Sequence, residues 1–174
     1  MREQKMKKLI TCLMVVISVQ VHAAEDIPKG IITLDGRQAP SLVLNDLDGE
    51  SWDISKAKGR WLFVHFWASW CGPCRREMPT IQAIYNQFDK SELEIVIINT
   101  AESEDTVFSF LASIQMDIDT LLDRDGLVTE QWQPRGLPST FFVDPDGKLR
   151  YLALGGRPWD SPAYLAFLNR LAGK

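Results

Sequence analysis

The segment that most restricts the fold runs from Trp61 to Cys74. Residues 61–67 read Trp-Leu-Phe-Val-His-Phe-Trp, apolar or aromatic at every position except His65. A run with no polar alternation predicts a strand buried on both faces. Ala68, Ser69 and Trp70 then lead into Cys71-Gly72-Pro73-Cys74, after which Met78, Ile81, Ile84, Tyr85 and Phe88 recur at helical spacing. The pattern predicts a helix over 71–88. Pro79 should bend it, because proline lacks an N–H and crowds the preceding turn.

The rest of the chain supplies the layers such a strand requires. Residues 41–45 and 51–54 flank Asp46-Leu47-Asp48-Gly49 and predict a hairpin, with Gly49 supplying the positive φ of the turn. Residues 93–98 predict a second buried strand. Val107, Phe108, Leu111 and Ile114 predict a second helix capped by Ser103. Leu121-Leu122 is a short apolar pair, and residues 127–132 predict a brief helix. Residues 140–143 and 149–153 flank Asp144-Pro145-Asp146-Gly147, a second hairpin by its turn chemistry. Ser161 as N-cap and Pro162 at the first helical position open a last helix ending near Ala172. That order predicts an α/β fold, a central mixed sheet flanked by helices with an N-terminal hairpin extension. With 174 residues the chain suffices for one domain, placed at 39–174. Residues 24–38 show no period and are expected to be an extended lead-in.

Residues 1–23 differ in kind. Arg2, Lys5, Lys7 and Lys8 precede an apolar run from Leu9 to Val21, which ends in Val-His-Ala. The run is shorter than the roughly 20 residues that span a bilayer, so it is expected to be a secretory signal cut near Ala23. An uncleaved membrane anchor is the alternative; once the signal is cut, no stable membrane insertion is expected. The expected compartment is the periplasm. The chain carries a net charge of −4, and loss of the basic head leaves it more acidic still. Nothing in that charge suits nucleic acid or a membrane surface. Of the three cysteines, Cys12 falls in the leader and the other two form one Cys-x-x-Cys. In an oxidising compartment that pair is expected to be disulfide-bonded by default.

The spacing gives the two thiols different tasks. Cys71 at the helix N-cap meets free backbone N–H groups and the positive end of the helix dipole, which favour a thiolate. A thiolate is the species that attacks a disulfide. Cys74, one turn in and less exposed, is placed to resolve the resulting mixed disulfide. Pro73 fixes φ early in the helix and keeps the sulfurs close. Two other readings compete. Zinc needs four ligands, and two Cys with one His beyond the leader fall short; no metal or cofactor is expected. A structural disulfide closing so short a loop would stabilise little.

The segment Phe66-Trp67-Ala68-Ser69-Trp70-Cys71-Gly72-Pro73-Cys74-Arg75-Arg76-Glu77-Met78-Pro79 resembles the active-site segment of the thioredoxin superfamily, and more narrowly its exported TlpA/ResA-like branch. The segments around Ala39-Pro40-Ser41-Leu42 and Gly136-Leu137-Pro138-Ser139-Thr140-Phe141 are similar to that branch too. The resemblance implies a thioredoxin fold and thiol–disulfide oxidoreductase activity. It implies that Pro138, after Leu137, is the cis proline facing the disulfide, where adjoining backbone pairs with extended substrate. It implies that Glu77 lies beside the cysteines and exchanges a proton with the buried thiol; otherwise Glu77 is a solvated carboxylate on the helix surface. Trp70 corresponds to the aromatic rim next to the nucleophile.

His65 departs from the thioredoxin pattern, which places a buried Asp six residues before the nucleophilic cysteine. A buried imidazole could accept the resolving thiol's proton or be a satisfied core side chain. The Gly-Pro between the cysteines is that of thioredoxin, whose potential is about −270 mV, against about −120 mV for the strongly oxidising exported enzyme. By resemblance the expected direction is reduction of disulfides in exported proteins, apocytochrome c among the substrate classes, with a membrane thiol reductase as electron donor. The alternatives are a disulfide oxidase or isomerase, a thiol peroxidase, and a non-catalytic assembly module. The peroxidase reading wants Thr or Ser where this chain has Ala68.

Overall fold

The run of residues that lacks polar alternation becomes the middle of the sheet. In the computed structural model, which describes residues 26–174, the strands are β1 (Ile31–Thr33), β2 (Val43–Asn45), β3 (Ser51–Asp53), β4 (Trp61–Trp67), β5 (Leu93–Thr100), β6 (Thr120–Asp123), β7 (Ser139–Val143) and β8 (Leu149–Leu154). The helices are α1 (Gly72–Gln87), α2 (Glu104–Ser113), α3 (Leu127–Trp132) and α4 (Pro162–Leu171). The expected signal at 1–23 lies outside the described residues. Among those described, no helix is long and apolar enough to cross a membrane.

Six strands form one mixed sheet in the order β1-β8-β7-β4-β5-β6. β4 runs parallel to β5 and antiparallel to β7, so its backbone is paired on both edges. Its side chains alternate between two apolar clusters, as the strand period of two requires. Phe63 and Trp67 pack with Met78, Ile81 and Ile84 of α1 and with Phe167 and Leu168 of α4. Leu62, Val64 and Phe66 pack with Leu42 and with Trp132 of α3. Each such side chain contributes about 1.5–3 kcal/mol when fully buried. His65 shares the parity of Phe63 and Trp67 and therefore points towards α1.

The expected hairpin forms from β2 and β3, separate from the main sheet, with Gly49 at φ +83° in its turn. The second turn closes through Gly147, whose N–H donates to Asp144 O at 2.8 Å with φ at +81°. The lead-in does more than extend. Residues Ile31–Thr33 pair antiparallel with β8 and become an edge strand of the sheet. Three residues are too few to display a period, and the pairing is made by backbone groups.

One buried charge ties the hairpin to the sheet. Glu94 in β5 accepts from Trp52 Nε1 at 2.7 Å and from Arg60 Nε at 2.7 Å. Its side chain is 8% exposed, so each oxygen depends on its partner. Replacing Trp52 by Phe keeps the ring and removes one donor. The Trp52→Phe variant should lose about 1–3 kcal/mol of stability, read as a lowered urea midpoint with an unchanged m-value.

Candidate active site

Cys71 is the N-cap of α1, and its Sγ accepts the backbone N–H of Cys74 at 3.2 Å. That bond satisfies one of the amides a helix start leaves free. The two cysteines are joined in a disulfide with Cα atoms 5.2 Å apart. Pro73 sits in the first turn of α1, and Pro79 lies inside the helix, which runs on to Gln87. Cys71 is 5% exposed and Cys74 fully buried, while Trp70 beside them is 69% exposed. The Arg75 guanidinium carbon lies 5.4 Å from the centre of the Phe110 ring.

The Leu137–Pro138 peptide is cis. Ser139 pairs with Phe66, which places residue 138 opposite the end of β4, at the same end of the strands as the cysteine loop. Pro138 O is held by the N–H of Gly155 at 2.8 Å.

Glu77 is buried, with 4% of its surface exposed, so it is not a solvated helix-surface carboxylate. Its Oε2 accepts from the backbone N–H of Arg157 at 2.9 Å and from Trp159 Nε1 at 3.1 Å. Burial pushes its carboxyl up to about 7, outweighing those two bonds and the charge of Arg157, all of which pull it down. His65, fully buried on β4, lies with Nε2 3.4 Å from Glu77 Oε1 and Nδ1 2.8 Å from Thr140 Oγ1. Burial pushes the imidazole down to about 3, so it is neutral across the physiological range. The loop after β8 lies against this corner: a Cβ added at Gly156 would sit 3.3 Å from Pro73 O and 3.7 Å from Glu77 Oε2. Beside it runs a groove of about 290 Å³ lined by Pro73, Arg76, Glu77, Gly156 and Arg157.

Several residues at the site were not singled out from sequence. Glu102 accepts from Ser69 N at 2.7 Å, from Ser69 Oγ at 2.5 Å and from Asn99 Nδ2 at 2.8 Å. It follows Ala101, whose φ of +56° turns the chain back after β5. The carboxylate thereby fastens the loop between β4 and Cys71. A usable signal existed: an acidic residue just past the carboxyl end of a parallel strand, where α/β sheets gather their sites. Thr140, Arg157 and Trp159 gave no such signal. Among the described residues, no group of three or more His, Cys, Asp or Glu is placed to hold a metal ion.

This arrangement offers a sulfur at a helix start, a second sulfur buried behind it, and a carboxyl near neutrality on the same helix. Comparison with known proteins identifies the family. Residues 36–152 match the AhpC/TSA family. The chain is 35% identical over 121 residues to thiol-disulfide oxidoreductase ResA of Bacillus subtilis, covering 70% of this chain and 68% of that protein. It is 32% identical over 120 residues to the ResA of Geobacillus thermodenitrificans, covering 69% of each. Among solved structures, the thioredoxin domain of a thiol-disulfide oxidoreductase from Bacteroides vulgatus superposes with a TM-score of 0.66 at 27% identity, covering 78% of this chain and 96% of that one. The chain therefore has the thioredoxin fold and belongs to the AhpC/TSA family, alongside the ResA-type thiol–disulfide oxidoreductases.

Proposed function

We propose that this thiol–disulfide oxidoreductase is an exported reductant of protein disulfides, working by exchange through Cys71 and Cys74. The observation that carries the reading is the unequal placement of the two sulfurs. Cys71 Sγ receives an amide N–H at the start of α1, beside exposed Trp70, whereas Cys74 is enclosed. A thiolate at residue 71 attacks the substrate disulfide, and Cys74 displaces the substrate from the mixed disulfide. Trp70, Pro73 and the Leu137–Pro138 backbone form the bed for an extended substrate strand. Glu77, three residues beyond Cys74 on α1, takes the proton that Cys74 must lose.

Direction and location rest on the sequence. The Gly72-Pro73 pair and the ResA-type relatives support reduction, and the basic head with its short apolar run supports export to the periplasm. Substrates in this reading are exported proteins, apocytochrome c among them, and electrons come from a membrane thiol reductase.

Trapping tests the reading. Cys74→Ala should accumulate a mixed disulfide through Cys71 that mass spectrometry identifies, and Cys71→Ser should abolish insulin reduction. An activity that survives Cys71→Ser refutes the exchange mechanism, and a potential well above about −200 mV refutes the reductant assignment. Glu77→Gln should slow exchange by about 10²-fold at neutral pH.

The same variant has a pH signature in stability. The Glu77 carboxyl is raised from 4.5 to about 7 on folding, so its protonated form stabilises the native state, a contribution full below 4.5 and lost as pH rises from 4.5 to about 7. Relative to wild type, oxidised Glu77→Gln should therefore gain stability as pH rises across that window, measured by urea unfolding at a series of pH values.

A further inference from the structure

Two buried polar atoms face one another in the core without other partners: His65 Nε2 and Glu77 Oε1, 3.4 Å apart. The remaining polar atoms of both side chains are satisfied. Glu77 Oε2 has the Arg157 amide and the Trp159 indole, and His65 Nδ1 has Thr140 Oγ1. Leaving a buried polar group unpaired costs about 1–3 kcal/mol. One proton placed between these two atoms removes both costs.

We propose that His65 and Glu77 act as one proton-binding unit, in which Glu77 Oε1–H donates to His65 Nε2 and through which Cys74 exchanges its proton. The proposal rests on the exchange reading above and adds His65 to it as a positioning residue.

Two hydrogen-bond patterns satisfy every atom. In the first, Glu77 Oε1–H donates to Nε2, and Nδ1–H donates to Thr140 Oγ1. In the second, the Glu77 carboxylate accepts from Nε2–H, and the Thr140 hydroxyl donates to Nδ1. A threonine hydroxyl can serve in either role, so the imidazole changes tautomer without becoming imidazolium. The patterns differ by one proton. The groups around the pair are Thr140 from β7 and Arg157 and Trp159 from the loop after β8, with Arg76 of α1 lining the groove beside Glu77. Of these the Arg157 charge lowers the Glu77 carboxyl, and by less than burial raises it. Depression of the imidazole to about 3 by burial keeps His65 an acceptor rather than a cation.

The exchange then balances. The Cys71 thiolate attacks the substrate disulfide, forming one S–S bond and releasing one substrate thiolate. The Cys74 thiol gives its proton to the carboxylate, converting the second pattern into the first. The Cys74 thiolate attacks Cys71 Sγ, closing the internal disulfide and releasing the second substrate thiolate. Two electrons pass from the dithiol to the substrate, and the proton remains on the pair.

The test is a nuclear magnetic resonance titration of the reduced wild-type protein, following the Glu77 carboxyl carbon and both His65 ring nitrogens. The carboxyl and the ring nitrogens should move together with one midpoint, Nε2 gaining its proton as pH rises. Ring nitrogens that stay still while Glu77 titrates, or that report imidazolium, overturn the proposal. In kinetics, His65→Asn should slow resolution of a glutathione mixed disulfide at Cys71 about tenfold near neutrality, below the roughly 10²–10⁴ of a general base. The defect should shrink as pH rises into the range where Cys74 ionises unaided, which burial places above the free thiol's. A defect equal at every pH marks a packing role and overturns the proposal. A wild-type protein that forms no mixed disulfide at Cys71 refutes the exchange reading, and with it the role of the pair in exchange, while the titration still decides the shared proton.

Discussion

The double pairing of β4 is the constraint from which the site follows. Parallel to β5 on one edge and antiparallel to β7 on the other, the strand has no free edge and no solvent face. Its end is therefore fixed relative to the ends of both neighbours. The loop that leaves β4 carries the cysteines, the turn that leaves β5 carries Glu102, and the segment that enters β7 carries the cis Leu137–Pro138 peptide. Three stretches distant in sequence meet at one end of these strands because the ladder leaves them nowhere else to go.

The chemistry is then set by depth. A helix starting at that end presents its first sulfur to the amides of its own first turn and carries its second inward. One turn further, Glu77 lies at a depth where charge is costly, and the loop from Gly155 to Trp159 supplies two donors without admitting enough polarity to keep the carboxyl acidic. Gly156 matters because its backbone, lacking a side chain, can approach both Pro73 and Glu77.

Much of this was legible from local pattern. The buried strand, the Cys-x-x-Cys at a helix start, the two turns with their glycines and the helix capped by Ser103 each depend on residues within a few positions of one another, and the structure has them close to where the pattern put them, whereas the Ser161 side chain makes no capping bond. What could not be read depends on which distant elements touch. His65 and Glu77 were each singled out, but on separate grounds; only the packing of α1 on β4 brings Nε2 to Oε1. Whether Glu77 was solvated or buried turned on the loop after β8, where Gly155-Gly156-Arg157-Pro158-Trp159 has no periodicity to say which element it packs on. Glu102 looked like one more acid on an acidic chain until the reversal at Ala101 aimed it at Ser69.

The lead-in enters the site through Arg157. That guanidinium donates to the carbonyls of Leu154 and Gly156 and reaches back to Gly30 O at 3.3 Å, while the amide of the same residue donates to Glu77. A side chain at residue 30 would collide with it, since an added Cβ comes within 2.5 Å of Nη2. The stretch ahead of the hairpin is thus a buttress: a single arginine spans from the carbonyl of residue 30 to the carboxyl buried behind the cysteines.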